Sequence, residues 1–284
     1  MSHSAFTRLL IVPYGLALLV VAGYVHGNED RVWSPFADLL EQYVTEHRLE
    51  GGGLISSFDY RAALESEHAA QLNQAQRRRL AAFDPQQFET REHAIAFWIN
   101  AYNFFMIAHI LDNPHRGELI DSVRDYGSLF NPYRVFRRDL FDVGGTMHSL
   151  SGIENDILLG DDFKEKGWKD ARVHFAVNCA SVGCPPLRDH LYTADNVDVL
   201  LEENTRLSLK TPLHLRIEDD VLWLTSLFDW YEDHFVNMSG SVQDFIDDHV
   251  DESLRAAIEA TDRIRFIDYD WDLNSPDNMA RWTD

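Results

Sequence analysis

The sequence predicts an α+β fold, a helix-rich single domain over residues 32–284 packed on a small, mainly antiparallel sheet. Two observations carry this. Apolar residues recur at helical spacing through the first half, whereas short alternating runs bounded by turn residues enter only after residue 135. The two kinds then segregate instead of alternating as parallel βαβ units would. No internal repeat, and no linker rich enough to divide the span, interrupts it.

In chain order, Ser34-Pro35 predicts a helix start, a hydroxyl N-cap followed by a proline whose missing N–H costs nothing there. Phe36, Leu39, Leu40, Tyr43, Val44 and His47 continue at helical spacing until Gly51-Gly52-Gly53. A second helix is expected over residues 62–82, with a short turn at Asp84-Pro85. Residues 90–112 follow, closed by Asn113-Pro114 and apolar on nearly every side, which marks a central, buried helix. Asn100, Asn103 and His109 interrupt it too often for a membrane span. Residues 135–143 and 146–150 read as a hairpin around Gly144-Gly145, and Ser151-Gly152-Ile153-Glu154 as a capping-box helix start. Residues 172–178 alternate like a strand, with Val173, Phe175 and Val177 on one face. A second hairpin is expected from residues 213–217 and 221–225. Ser226 with Asp229 then caps a helix carrying Phe228, Trp230, Tyr231 and Phe235, and the aromatics Trp223, Phe228, Trp230 and Tyr231 read as core. Acidic helices near 242–250 and 254–260 precede a last strand at 264–269.

Composition narrows the function. With 47 acidic against 25 basic residues the formal net charge is -22, which repels polyanions and argues against nucleic acid as a partner. A solvated acidic surface accounts for that charge. Residues 1–27 read as a signal peptide or N-terminal membrane anchor: Arg8 precedes an apolar run at residues 9–25, and Asn28-Glu29-Asp30 follows abruptly. The expected location is therefore exported, in the periplasm or cell envelope, with membrane contact only through residues 9–25 if the segment is retained. An unknown small molecule or an envelope protein is the expected partner. No phosphate loop, dinucleotide glycine fingerprint, serine-hydrolase elbow or zincin helix is present, so no cofactor is expected.

Several blocks together carry a family resemblance. Phe97-Trp98-Ile99-Asn100-Ala101-Tyr102-Asn103, His148-Ser149-Leu150-Ser151-Gly152-Ile153-Glu154, the run from Arg172 to Ser181 with Cys184-Pro185, and the closing Asp268-Tyr269-Asp270-Trp271-Asp272-Leu273-Asn274 resemble the DUF547 family in order. That family is uncharacterised, so the resemblance implies no set of catalytic residues.

The cysteine block admits three chemistries. In an oxidising compartment Cys179 and Cys184 can pair over a short loop, as a structural staple. Alternatively Cys179 is a nucleophile activated by His174 or His148 and oriented through Asn100 or Asn178, as in a papain- or transglutaminase-like hydrolase or acyl transferase. Zinc held by His174, Cys179, Cys184 and His190 fits no familiar spacing, and no metal site is expected. Asn100 and Asn103 share a face of the apolar helix, so each buried amide needs a partner. They are read as a polar brace or as the lining of a ligand pocket. Glu154 reads first as a helix cap, and Arg172 as an ion-pair partner or anion holder; with Asn103 and Asn178 these are the binding candidates. A non-enzymatic binding fold is the favoured reading of the whole.

Overall fold

The computed structural model describes residues 31–261 and 263–283. The expected signal or anchor at residues 1–27 lies outside them.

Helix α1 (residues 31–43) buries Trp33, Phe36, Leu39 and Leu40. Ser34 lies within it and not at its start; its hydroxyl accepts from Arg79 Nη1 at 2.7 Å. The helix ends earlier than its spacing predicts, because residues 44–48 pair instead. Strand β1 (Val44–Arg48) runs antiparallel to β2 (Leu54–Phe58), with Val44 opposite Phe58. Every β2 side chain is buried, and that pairing outweighs the helical pattern of Val44 and His47. The expected second helix is two, α2 (Tyr60–Leu64) and α3 (Glu67–Ala81), divided where Ser66 caps α3 by accepting from the Ala69 N–H.

Helix α4 (Arg91–Asp112) is the axis of the main core, with Phe97, Ile99, Phe104, Phe105 and Ile107 all enclosed. By length and hydropathy it could cross a membrane, but 89% of its most apolar window is buried inside the protein. After α5 (Arg134–Arg137) come β3 (Phe141–Val143) and β4 (Thr146–His148), a shorter hairpin than predicted. Its turn needs glycine: Gly144 has φ 61°, and a Cβ there would meet the Phe83 carbonyl oxygen at 2.5 Å.

The predicted capping box is absent. Residues Gly152–Leu158 form a π-helix, and it is Ser149 Oγ that accepts from the Gly152 N–H at 3.0 Å. This leaves the Glu154 side chain available elsewhere. Following α6 (Asp161–Glu165), the expected strand at 172–178 is instead a 3-10 helix, Ala171–Phe175, capped by Asp170. Residues 173–178 are buried on both faces, so their alternation reflects core on all sides and not one face of a sheet.

Helix α7 (Val197–Leu209) packs over this segment. Strands β5 (Leu215–Glu218), β6 (Val221–Thr225) and β7 (Arg263–Ile267) form the last sheet in that order, β5–β6 antiparallel and β6–β7 parallel. The connection to β7 contains α8 (Leu227–Trp230), α9 (Glu232–Ser239), α10 (Val242–His249) and α11 (Glu252–Glu259). Phe175, Phe228, Phe235 and Phe245 make a second apolar cluster beneath it. Ser226 does not cap α8; its hydroxyl donates to the Ile267 carbonyl at 2.7 Å. Trp223 is half-buried between Arg216 and Arg265, and Trp230 is 45% exposed, so neither belongs to the core as expected.

Past β7, the chain doubles back before the short helix α12 (Pro276–Met279). Asn274 joins distant segments on this return: its N–H donates to the Ala180 carbonyl, its carbonyl accepts from Phe58, and its side chain meets the Tyr60 hydroxyl and Asn178 Oδ1.

Candidate functional site

A cavity of about 350 Å³ opens between α4, the cysteine loop, α8–α9 and the returning chain. One wall is aromatic. Trp230 stands 5.0 Å from Tyr269 and 5.9 Å from Trp271 between ring centroids, and Tyr133 continues the wall at 5.1 Å from Trp271. Such faces bind flat apolar groups, and they favour cations over anions because the ring quadrupole presents negative charge.

The opposite side is polar and buried. The π-helix turns Glu154 inward, and Glu154 Oε1 lies 3.0 Å from His174 Nδ1. His174 Nε2 in turn lies 2.8 Å from His234 Nδ1 on α9. The Tyr231 ring stacks on the His174 imidazole with centroids 3.9 Å apart. Burial, reinforced by Lys169 and His174, holds the His234 imidazole down at about 4, so at neutral pH it is uncharged. A single proton therefore lies between the two imidazoles. A carboxylate at Nδ1 accepts the His174 N–H there and so fixes the tautomer.

Three tyrosines surround this line. Burial, with the Glu154 charge adding to it, pushes the Tyr102 and Tyr231 hydroxyls up, and burial does the same to Tyr269. All three remain protonated donors. The arrangement thus offers neutral donors and a carboxylate–imidazole pair to whatever fills the aromatic space.

Cys179 lines the same cavity and is bonded to Cys184, with sulfurs 2.18 Å apart. There is no free cysteine among the described residues, so the resting thiol nucleophile does not exist. The thiolate ligands of the zinc reading vanish with it. His190 instead sits beside Asp189 at 2.6 Å on the exposed surface.

The candidate residues scatter into distinct duties. Asn103 spans α4 and the cysteine segment, donating to the Ala176 carbonyl at 3.0 Å and accepting from the Asn178 N–H at 2.7 Å. Asn100 grips Tyr192 in the same two-bond manner, through its carbonyl at 2.7 Å and N–H at 3.1 Å. Asn178 donates to the Pro185 carbonyl and accepts from the Ala180 N–H. These amides are braces, and none of the three lines the cavity. Arg172 pairs with Asp170 at 2.8 Å and with Glu202 at 3.3 Å, not with Glu154. His148 packs its ring against Trp98 at 5.2 Å outside the cavity, and burial lowers its pKa. Of the proposed nucleophile–histidine pair, only His174 and Cys179 share the cavity, together with Glu154, which acts there and not as a cap.

Sequence reasoning missed Tyr102, Tyr231, Tyr269, Trp271 and His234 as site residues. Tyr102, Tyr269 and Trp271 stand inside blocks that carry the family resemblance, and that was the available signal.

Residues 85–207 match the family model described as a protein of unknown function, DUF547. This segment is similar to DUF547. It contains Tyr102, Glu154, His174 and the disulfide, whereas Trp230, Tyr231, His234, Tyr269 and Trp271 lie beyond the matched residues. The matched segment thus supplies the Glu154–His174 pair, and the later chain His234 and most of the aromatic wall. No curated protein and no solved structure matches the chain.

Proposed function

We propose that this chain is an exported, non-enzymatic binding protein whose cavity takes a small molecule with a flat ring. The supporting observation is the juxtaposition of the Trp230–Tyr269–Trp271 wall with the Glu154–His174 pair in one cavity. The ring stacks on the wall, and a polar substituent meets the tyrosine hydroxyls. Export rests on the apolar run at residues 9–25. A panel of aromatic amines and aromatic acids, read by thermal shift, tests the reading. A bound compound at about a hundredfold excess over its dissociation constant adds about 2.7 kcal/mol of stability. Trp230→Ala, at a half-exposed site, should leave the fold intact and weaken binding by roughly tenfold, the worth of one aromatic contact. Unchanged affinity in that variant removes the wall from the reading.

A second reading, proton transfer on the bound molecule, is favoured by the carboxylate–imidazole–imidazole line alone. Glu154→Gln keeps the shape and removes the charge that orients His174. Turnover of a bound compound falling by about a hundredfold, with binding retained, is the outcome this reading requires. Equal turnover in the variant refutes it.

A further inference from the structure

The two sulfurs of the disulfide are not equivalent. Cys179 is half-buried and lines the cavity, whereas Cys184 is 6% exposed and sits behind it. Three donors converge on the inner sulfur: the Cys179 N–H at 3.0 Å, the Ser181 N–H at 3.4 Å and the Tyr269 hydroxyl at 3.2 Å from Cys184 Sγ. The same hydroxyl reaches Cys179 Sγ at 3.1 Å. A disulfide sulfur is a weak acceptor and makes little use of three donors. A thiolate in that position uses all of them.

The loop also keeps its shape by other means. Val182 N–H donates to the Asp272 carbonyl at 2.8 Å, Gly183 N–H to the Asp270 carbonyl at 2.9 Å, and Cys184 N–H to the Ser181 carbonyl at 3.0 Å. Ala180, at φ 64°, is clamped on one side by Asn178 Oδ1 and on the other by the Asn274 N–H. A covalent staple adds little to a loop held at so many points.

We infer that Cys179–Cys184 is a redox-active pair, reduced by a dithiol that enters through the cavity and attacks Cys179. One thiolate of the reductant bonds to Cys179 Sγ while the Cys179–Cys184 bond breaks and Cys184 leaves as a thiolate, its charge met by the three donors. The reductant's second thiol then attacks its own sulfur in the mixed disulfide. It departs as a disulfide, and Cys179 is released and takes up a proton. Two electrons and two protons pass from the reductant to the pair once Cys184 is also protonated, or one proton while it stays a thiolate. A stabilised leaving thiolate accelerates the exchange and makes the disulfide more oxidising. The inference uses the cavity as a route of access and not the identity of its occupant, so failure of the ligand panel leaves it standing.

The test is equilibration of the purified protein in dithiothreitol redox buffers, with free thiols counted by alkylation and mass spectrometry and the fold followed by near-ultraviolet circular dichroism. Complete, reversible reduction with an unchanged dichroism spectrum is expected. Tyr269→Phe should shift the equilibrium toward the disulfide by about tenfold, equivalent to about 30 mV for a two-electron couple. In single variants, the Cys179 thiol of Cys184→Ser should react with a disulfide reagent at least about tenfold faster than the Cys184 thiol of Cys179→Ser, following exposure. Loss of the dichroism spectrum on reduction, an equal potential in Tyr269→Phe, or faster reaction at Cys184 each overturns the inference. If Tyr269→Phe does not fold, the wild-type reduction and the two cysteine variants still decide it.

Discussion

Between about pH 7 and about pH 4 the protein should lose on the order of 3 kcal/mol of stability through His214 alone. Burial holds this imidazole down at about 4, from an ordinary value of 6.5, against a smaller opposing contribution from the Leu213 backbone. The side chain is 1% exposed, and its Nδ1 has no partner among the described residues. The unfolded chain therefore takes up the proton first. Stability is fully present above 6.5, falls as the pH drops toward 4, and levels off below it. His109 and His234, also lowered to about 4 by burial, act in the same direction with less enclosure. Urea unfolding at a series of pH values measures the slope, and His214→Gln should remove the His214 share of it, on the order of 3 kcal/mol between about pH 7 and about pH 4. An undiminished slope in that variant excludes His214 as the cause.

Replacing Asn103 by leucine should destabilise the protein by on the order of 4 kcal/mol, although leucine is the more apolar residue. The substitution leaves the Ala176 carbonyl and the Asn178 N–H buried without their partner, at roughly 1–3 kcal/mol each. Asn100→Leu strips Tyr192 of the same pair of bonds and should cost a similar amount. The expected signature is a lower denaturant midpoint with an unchanged slope, since the surface exposed on unfolding stays the same. A loss below about 1 kcal/mol in Asn103→Leu means that water or backbone movement replaces the amide.

Helix α4 was readable because a helix apolar on every side has only one environment open to it, and its two asparagines were readable as groups requiring partners. The partners themselves were not, since Asn103 and Asn178 are 75 residues apart and nothing local records their meeting. Residues 172–178 misled for a related reason. A period of two appears both on one face of a sheet and in a short turn buried on both sides, and only the surroundings distinguish them. Glu154 was masked by a capping pattern that its neighbours could have satisfied, until Ser149 took that duty. The aromatic wall was the least legible part. Tyr133, Trp230 and Trp271 belong to separate segments, and each alone resembles an ordinary packing residue.

The position of Asn274 imposes an order on biogenesis. The segment bearing Tyr269, Trp271 and Asn274 emerges from the ribosome after every piece that it joins, including Phe58, Tyr60, Asn178 and Ala180. Until it arrives, the cysteine loop lacks its bonds to Asp270, Asp272 and Asn274, and the aromatic wall lacks Tyr269 and Trp271. A nascent chain halted before residue 269 can bury much of α4, yet it cannot assemble the pocket. Completion of the site is thus governed by closure of far-separated segments and not by growth from the first helix onward.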